Sequence, residues 1–362
     1  MNPDSSFYEI LLLITTASAV MLFIATFITT LNLQYWWVRI FDFPRIQISL
    51  LLGVALVAAL FLYDFSFWWH YLIIAGIVAS IIYQATKIFP YTRLAKKEVL
   101  DAGQCDQKDV IAIMVSNVLQ SNRNAQALVD LVRKRKPDIL LTLETNKWWQ
   151  QQLKVLEKDY PNNKKVPLEN RYGMHLYSKL KLDDVRVEYL IQDDIPSVSA
   201  YATLRNDQRV KIHCLHPRPP SPTEADSSVP RDAELLLTGR RLKPDKESTL
   251  VFGDLNDVAW SGTTRLFQKI SGMADPRKGR GFFNTFNAMH WYLRWPLDHL
   301  FHSTDFKIVS LERLPSIGSD HFPILVTLCF VPSARLQQDT PVADQEDRQE
   351  ADEKIENGKK EA

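Results

Sequence analysis

The sequences GDLN at 253–256 and GSDHFPI at 318–324 decide how this chain folds. Each adjoins a short apolar run, STLVFG over 248–253 and FPILVTLCF over 322–330. Apolar runs of this length, bounded by Gly, Asn, Asp and Ser, are typical of buried strands. A strand end is rigidly held and close to the surface, so acidic and imidazole side chains there suit a chemical site. The two stretches therefore predict strands that present Asp and His at their ends.

The same arrangement of an apolar run followed by a polar residue recurs along the chain. Asn117 follows VIAIMVS, Glu144 follows DILLTL, His216 follows RVKIHCL, and Asp298 follows the WP turn of RWPLDHLF. Any one of these residues alone is more often a turn former or a structural side chain. Their repetition at several strand ends of one chain favours a shared site.

The residue types at these positions indicate the chemistry of a phosphate ester. Glu144 and Asp320 offer hard oxygen ligands, which suit Mg²⁺ or Mn²⁺ rather than zinc. Histidines with nearby carboxylates offer a proton donor and an oriented imidazole. A phosphate ester is anionic, so its hydrolysis needs a cation, a group that orients water, and donors for the developing charge.

The cysteines and the net charge exclude other classes. Cys105, Cys214 and Cys329 form no CxxC or Cys/His cluster, so the sequence predicts neither a zinc site nor a disulfide framework. The net charge of +1 lacks the basic excess of a dedicated nucleic-acid binder. An enzyme with a local basic groove remains compatible with it.

The order of these motifs resembles the endonuclease/exonuclease/phosphatase superfamily, over about residues 108–330. That family includes deoxyribonucleases, abasic-site endonucleases, inositol-polyphosphate phosphatases and neutral sphingomyelinases. The resemblance implies an α/β fold in which two mixed β-sheets pack face to face with outer helices, a four-layer sandwich. It also implies an enzyme, a metal-dependent phosphoric ester hydrolase.

The resemblance assigns the metal site residue by residue. It implies that Glu144 is the principal ligand of Mg²⁺ or Mn²⁺, with Asn117 beside it and Asp320 close to the cation. The family has an aromatic residue before the first Asn, where this chain has Ser116. That departure leaves the ligand set intact, because the aromatic residue is not a ligand.

The remaining roles concern the water and the phosphate. The resemblance implies that Asp254 orients or deprotonates the attacking water and that Asn256 helps to hold the scissile phosphate. It implies that Asp298 orients His321 on a phosphate oxygen, and that His216 lies near the leaving group or the phosphate.

Three other residues are weaker candidates. Arg171 precedes a strand and is a candidate for substrate binding, although a structural role is the stronger alternative. His213 and His299 neighbour His216 and Asp298 in sequence, but the strand alternation turns them to other faces. Both are interpreted as structural.

The chain divides into three predicted parts: residues 1–98, a membrane segment with helices at about 10–31, 46–63 and 67–86; residues 99–335, the catalytic domain; and residues 336–362, an acidic tail. The apolar stretches approach or exceed the length of about 20 residues that crosses a bilayer, and no Lys or Arg precedes the first, unlike a signal peptide. The tail has few large apolar residues, which predicts disorder.

The basic residues predict the orientation of a multi-pass protein of the cell or inner membrane. Arg39 and Arg45 lie in the first connection, and Lys87, Arg93 and the Lys96–Lys97 pair follow the third span. Three spans put both groups on the same side, which the positive-inside rule makes the cytoplasm. The catalytic domain is therefore expected to be cytoplasmic.

The sequence favours a membrane-anchored hydrolase of phosphodiester or phosphomonoester bonds. Its expected partners are a phosphate-ester substrate and the lipid bilayer; lipid head groups, nucleic acid and nucleotides all remain open as substrates, and no protein partner is predicted. The alternative is a membrane-tethered binding protein that keeps the fold without catalysis. A transport role is not supported, because the apolar spans show no internal carboxylate, Lys or Arg.

Overall fold

The computed structural model describes residues 3–31 and 33–361. Contacts divide the chain into a first unit that ends at Pro90 and a second unit that begins at Tyr91. Each unit has its own apolar core.

The described residues of the first unit form helices joined by short connections. Its α-helices are α1 (Pro3–Phe27), α2 (Trp36–Arg39), α3 (Arg45–Leu62) and α4 (Trp68–Ile88). Three helical stretches are long and apolar enough to cross a membrane by length and composition: Ser6–Thr30, Arg45–Leu62 and Trp68–Tyr91. These helices overlap the three predicted spans.

A buried polar network joins the helices of the first unit, which the sequence did not predict. Arg45 is 2% exposed and donates to Gln84 Oε1 at 2.9 Å and to Thr29 Oγ1 at 3.2 Å. It also pairs with Asp42, which is 4% exposed. Gln84 in turn donates to Thr26 at 3.1 Å. A paired, hydrogen-bonded Arg is the form in which a buried charge is tolerated.

The second unit combines short strands, several of which follow one another directly, with five α-helices among its described residues. Its strands are β1 (Val110–Asn117), β2 (Ile139–Leu143), β3 (Asn162–Val166), β4 (Met174–Ser178), β5 (Lys181–Glu188), β6 (Ser197–Thr203), β7 (Arg209–Leu215), β8 (Thr249–Asp254), β9 (Asp298–His302), β10 (Phe306–Arg313) and β11 (Ile324–Phe330). Its α-helices are α5 (Ala125–Arg135), α6 (Lys147–Gln152), α7 (Val229–Arg241), α8 (Gly262–Ser271) and α9 (Gln345–Glu361).

The strands form two mixed sheets, as predicted. The first sheet has the order β10-β11-β1-β2-β4-β3, and the second has the order β5-β6-β7-β8-β9. Only the neighbours β1–β2 and β7–β8 are parallel; the other pairs are antiparallel. Each sheet therefore has one central parallel pair, and the carboxyl ends of that pair share an edge.

Apolar side chains of the two sheets pack against each other. Ile113 and Leu141 of the first sheet share one buried cluster with Ile212 and Phe252 of the second. Helix α5 covers the outer face of the first sheet, and α7, α8 and α9 cover the outer face of the second. The predicted four-layer sandwich is confirmed.

The end of the chain differs from the predicted disordered tail. Helix α9 packs on α7, and its Ala351 and Ile355 are buried in the same apolar cluster as Leu236. Asp347 accepts from Lys269 at 2.8 Å. The composition of this stretch is poor in apolar residues, but its few apolar side chains are spaced to meet a helix that already has an apolar face.

The segment that follows the first unit also differs from its predicted place in the membrane part. Residues 91–101, called the strap here, pack on the second unit. Tyr91 is buried and its hydroxyl donates to the Ala259 carbonyl at 2.5 Å. Glu98 accepts from Lys278 at 2.6 Å. Gly279 has φ +73°, and a Cβ there would lie 2.7 Å from Lys97 Cα, so only glycine allows the strap this close.

Cys105 and Cys329 form a disulfide, contrary to the prediction from their sparse spacing. Cys105 precedes β1, and Cys329 lies on β11 opposite Val110, the first residue of β1. The antiparallel pairing of these strands brings together cysteines that are 224 positions apart in sequence. Cys214 is free and buried.

Glu234 on α7 generates a prediction about pH and stability. It is 2% exposed, its Oε1 has no hydrogen-bond partner among the described residues, and burial raises its pKa to about 8. Between about pH 4.3, the pKa of an unfolded Glu, and this value, the folded chain keeps a proton that the unfolded chain releases, so stability falls as pH rises. We expect Glu234→Gln to remove this fall and to exceed the parent in stability at about pH 9 by a few kcal/mol.

Thermal unfolding of the full chain in detergent at low and high pH measures this difference. Glu346→Gln, an exposed carboxylate on α9, is the matched control and should follow the parent. The same pH dependence in the parent and in Glu234→Gln would contradict the assignment.

Candidate active site

Strand ends bring the predicted polar residues to one edge of the sandwich. Asn117 ends β1 and Asp254 ends β8, each on the central parallel pair of its sheet. Asp298 begins β9 and is the direct register partner of Asp254. At Gly253, β8 lies very close to β7: the residue has φ +151°, and a Cβ there would lie 1.9 Å from the Leu215 carbonyl oxygen. The Gly of GDLN is therefore a geometric requirement.

The amide of Asn117 links the two sheets at this edge. Its Nδ2 donates to Glu144 Oε1 at 2.9 Å and to Asp254 Oδ2 at 3.1 Å. The other Glu144 oxygen, Oε2, accepts from the Gln120 backbone N–H at 3.1 Å. Glu144 has φ +59°, a strained conformation for a residue with a side chain, which is typical of functional positions. Asn117, Glu144 and Asp254 thus form one hydrogen-bonded group.

His321 is held between two aspartates. Its Nδ1 lies 2.8 Å from Asp298 Oδ2, and its Nε2 lies 3.5 Å from Asp254 Oδ2. The Thr285 hydroxyl accepts from the Asp298 backbone N–H at 3.1 Å, which fixes the position of that carboxylate. The ring of Phe286 contacts the His321 ring at a centroid distance of 4.9 Å. The predicted pairing of Asp298 with His321 is present in the geometry.

The electrostatics of the group follow from buried like charges. Burial raises the pKa of Glu144, and the charge of Asp320 adds to this effect. Burial also raises the pKa of Asp254, opposed by the cation on His321. Burial alone would favour neutral His321, but Asp298 and Asp254 raise its pKa to about 10, so the imidazole is cationic.

His216 differs from His321 in its charge. Burial lowers its pKa to about 4, and its Nδ1 has no hydrogen-bond partner among the described residues. Its Nε2 lies 3.9 Å from Asp254 Oδ2, and its ring lies 5.4 Å from the Tyr172 ring. The site therefore holds one cationic and one neutral imidazole, and the Nε2 atoms of both face Asp254 Oδ2.

Two predicted residues contact the proline-rich loop after His216. The Asn256 backbone N–H donates to Asp254 Oδ1 at 3.0 Å, but its side-chain Nδ2 donates to the Pro217 carbonyl at 2.9 Å. Arg171 is outside the carboxylate group: its side chain is 64% exposed and pairs with Glu224 at 2.8 Å. In this structure Arg171 ties the loop, together with Tyr172, which donates to the same carboxylate at 2.9 Å.

The donor set fits a divalent cation. Glu144, Asp254, Asp298 and Asp320 are carboxylates in buried or half-buried positions, and burial is the main cause of the raised pKa values of Glu144 and Asp254, to which neighbouring carboxylates add. Hard carboxylate and amide oxygens suit Mg²⁺ or Mn²⁺. Among the described residues, ligand atoms of Asp254, Asp298 and His321 lie within 4.8 Å of one another. That trio differs from the predicted ligand set, and within it His321 Nδ1 is hydrogen-bonded to Asp298 Oδ2.

His299 faces away from this group, as predicted from its position beside Asp298. It is buried, accepts from Arg277 on Nδ1 at 2.8 Å and contacts the Asp257 carbonyl through Nε2 at 2.8 Å. Tyr172, like Arg171, was a weak candidate for substrate contact with a structural role as the stronger alternative; sequence reasoning missed Thr285, which lies in no recognisable motif. Only the loop glycines at 279 and 281 marked the segment before Thr285 as irregular.

Comparisons with known proteins agree with this geometry. The model of the Endonuclease/Exonuclease/phosphatase family matches residues 114–321, which contain every predicted site residue. No curated protein sequence matches the chain.

Solved structures share the fold at low sequence identity. An endonuclease/exonuclease/phosphatase from Beutenbergia cavernae DSM 12333 is 14% identical with a TM-score of 0.51, over 62% of this chain and 72% of the other. The human Nocturnin catalytic domain with bound sulfate anion is 14% identical with a TM-score of 0.51, over 63% and 97%. D. rerio TDP2 complexed with single strand DNA product is 16% identical with a TM-score of 0.50, over 60% and 98%.

The matched region covers more than half of the chain and includes β2, β7, β8 and the carboxyl end of β1. The sandwich and the Asp298–His321 pair are the arrangement that the sequence motifs predicted, and the Asn117 link between the sheets is an addition that the structure reveals. This chain belongs to the endonuclease/exonuclease/phosphatase family, whose phosphoesterase fold supports a hydrolase activity.

Proposed function

We propose that this protein is a membrane-anchored, divalent-metal-dependent hydrolase of phosphodiester or phosphomonoester bonds. The observation that carries the proposal is the joining of Glu144 and Asp254 through one amide, beside a cationic His321. This geometry supplies a cation site, a base and a hydrogen-bond donor for developing negative charge at one edge of the sandwich. These are the three requirements of phosphate-ester hydrolysis.

Asp254 is the group that acts on the attacking water. Two donors, the Asn256 backbone N–H and the Asn117 amide, hold its carboxylate in a fixed orientation. Burial raises its pKa, which makes it a stronger base than a solvated Asp, and the His321 cation opposes that rise. A carboxylate so held can orient water and accept its proton.

His321 stabilises charge on the phosphate. Asp298 accepts from Nδ1, which leaves Nε2–H to donate towards Asp254 or an anionic oxygen of the substrate. A donor that is already oriented costs no reorganisation when charge develops in the transition state. His216, neutral and close to Asp254, is assigned to the phosphate or the leaving group.

Glu144, Asn117 and Asp320 would hold the cation. A bound Mg²⁺ or Mn²⁺ supplies Lewis-acid neutralisation of the phosphate oxygens. Asn117 Oδ1 accepts from the Leu119 backbone N–H at 3.0 Å, which fixes the amide that orients Glu144. The fold would thus hold the ligand oxygens of Glu144, Asn117 and Asp320 in place beside Asp254, the carboxylate that acts on water.

A catalytically silent binding protein with the same fold is the alternative. It would need none of the oriented pairs, yet every member of the group is present and hydrogen-bonded. Maintaining four buried or half-buried carboxylates opposes stability, because each loses hydration. Retained chemistry explains that arrangement better than binding alone.

Anchoring favours a substrate at the bilayer. The three apolar helices would hold the site close to phospholipid head groups or membrane-linked phosphate esters, and nucleic acid remains a candidate. Full-length protein in detergent, assayed with Mg²⁺ or Mn²⁺ against phospholipids, inositol phosphates, RNA and plasmid DNA, tests the function. Hydrolysis of none of these classes would refute it.

Two features of the chain disagree on the side of the membrane. The basic residues after the third span predict the cytoplasm. The Cys105–Cys329 disulfide favours an oxidising compartment, since cytosolic thiols are kept reduced. The basic bias is a statistical tendency and part of it lies in Arg45, which is buried against Asp42. The register of β1 against β11 brings Cys105 and Cys329 together, and this is a more specific indication than the distribution of basic residues. We therefore propose that the catalytic domain lies on the non-cytoplasmic side.

Removal of divalent metal should abolish hydrolysis, because the predicted ligands Glu144, Asn117 and Asp320 offer only oxygen. We expect excess EDTA to stop turnover of the full-length protein and Mg²⁺ or Mn²⁺ to restore it. Calcium alone is the control for a general salt effect. Turnover that persists in excess chelator would refute the metal dependence.

Asp254→Asn and His321→Gln should each lower kcat by about 10²–10⁴, because both groups act in the transition state. The substitutions keep size and burial, so circular dichroism should remain that of the parent. His213→Gln is the matched control: it lies on β7 outside the group, with an Nε2 that has no hydrogen-bond partner among the described residues. Near-parent rates in either site variant would contradict the assigned roles.

A reporter fused after Ala362, which leaves α9 in place, decides the side of the membrane. On the non-cytoplasmic side an alkaline phosphatase fusion should be active and a green fluorescent protein fusion dark, and Cys105 should resist alkylation until a reductant is added. A fluorescent, phosphatase-negative pair of fusions would instead support the cytoplasmic side that the basic residues predict.

A further inference from the structure

A cavity lies in the catalytic unit, separate from the carboxylate group of the candidate active site. It has a volume of about 590 Å³ and is lined by Tyr91 and Arg93 of the strap, by Arg280, by the loop that ends at Asn284, and by Arg313. We call it the arginine pocket. Its volume lies within the range of ligand-binding cavities, and three arginines around one cavity indicate an anionic ligand.

The positive charge of this pocket is not balanced by the chain. Neither Arg93 nor Arg313 has an acidic partner within 4.0 Å among residues 3–31 and 33–361. Arg313 donates to the Asn284 carbonyl at 3.1 Å and lies 4.4 Å from the centre of the Phe322 ring, with Arg294 5.0 Å from the same ring. Arg294 and Arg313 repel each other across the Phe322 ring, and a bound anion would offset that repulsion.

The pocket is built from restrained parts. Arg280 donates to the Val99 carbonyl and to Asp101, both at 2.6 Å, which pins the loop to the strap. Buried Tyr91 contacts Trp260 edge to face, with ring centroids 6.1 Å apart. The loop and the strap that form the pocket walls are therefore held in place before a ligand binds, which favours affinity.

Chain continuity supplies the identity of the anion. Tyr91 is the last residue of the third candidate span, and Arg93 follows it by two positions. If that span crosses the bilayer, these residues must lie at head-group depth, where Tyr and Arg are favoured. Leu94, next in the chain, is 87% exposed, as suits a residue that contacts acyl chains. A phosphate found at this depth belongs to a lipid.

We propose that the arginine pocket binds the phosphate of an anionic phospholipid head group, through Arg93 and Arg313. The proposal rests on the proposed membrane anchoring and is independent of hydrolysis. The pocket wall continues from Asn284 into Thr285, which holds the backbone of Asp298, so a bound head group would brace the loop that leads to the catalytic pair.

Native mass spectrometry of the full chain in detergent tests the proposal with three probes: phosphatidylglycerol, phosphatidylcholine and inorganic phosphate. We expect the parent to retain phosphatidylglycerol preferentially. Arg93→Gln with Arg313→Gln should weaken this binding about tenfold or more, given about 1 kcal/mol for each Arg at a lipid surface. Arg93→Gln alone breaks no hydrogen bond of the described residues and should show part of the loss without affecting folding.

Arg209→Gln is the matched control, since Arg209 is exposed, lies over the Tyr201 ring at 4.3 Å and is outside the pocket. It should bind as the parent does. Equal retention of both lipids, an equal loss in the control, or no loss in the pocket variants would overturn the proposal. Displacement of the lipid by inorganic phosphate at equal concentration would overturn the lipid assignment in favour of free phosphate.

The outcomes separate this proposal from the proposed function. Lipid binding that depends on Arg93 and Arg313 in a protein without turnover would leave the pocket standing and refute the hydrolase. Release of the chain from membranes by alkaline carbonate would refute the anchor, and with it the lipid source.

Discussion

The Asn117 amide is the contact on which the site depends, because it is shared by carboxylates from both sheets. Glu144 follows a strand of the first sheet and Asp254 ends a strand of the second, and one nitrogen donates to both. Two stacked sheets are held mainly by apolar burial, which is not directional. A hydrogen bond at the edge adds the direction that burial lacks. The relative position of the cation site and the water-activating carboxylate follows from that bond and from the packing behind it.

Charge within the site is organised by burial. Carboxylates that lose water repel one another, and the structure offsets part of this repulsion with a single imidazolium, His321, between Asp298 and Asp254. His216 stays neutral because it gains less from Asp254 than it loses by burial. Two imidazoles in one pocket thus hold different protonation states. The remaining negative charge is what makes the proposed divalent cation chemically consistent with the rest of the group.

The periphery of the catalytic unit is more ordered than its composition suggests. The strap, the disulfide and helix α9 each fasten a terminal part of the unit to its sheets or helices. Buried Tyr91 and the Glu98–Lys278 pair make the strap part of the catalytic unit, although it begins at the end of the third apolar helix.

The sequence by itself determined the strands, the three long apolar helices and the main catalytic candidates. Strand β7 lies where RVKIHCL predicted it, because the alternation of side chains and the turn residues are local properties of the chain. Only the tertiary structure decided the rest. The Cys105–Cys329 pair depends on the register of β1 against β11, and order in α9 depends on the apolar face of α7. Arg171 meets Glu224, 53 positions away, and is thereby turned to the loop instead of the carboxylates. These outcomes depend on partners distant in sequence, and the free energy of such contacts exists only once the sheets have packed.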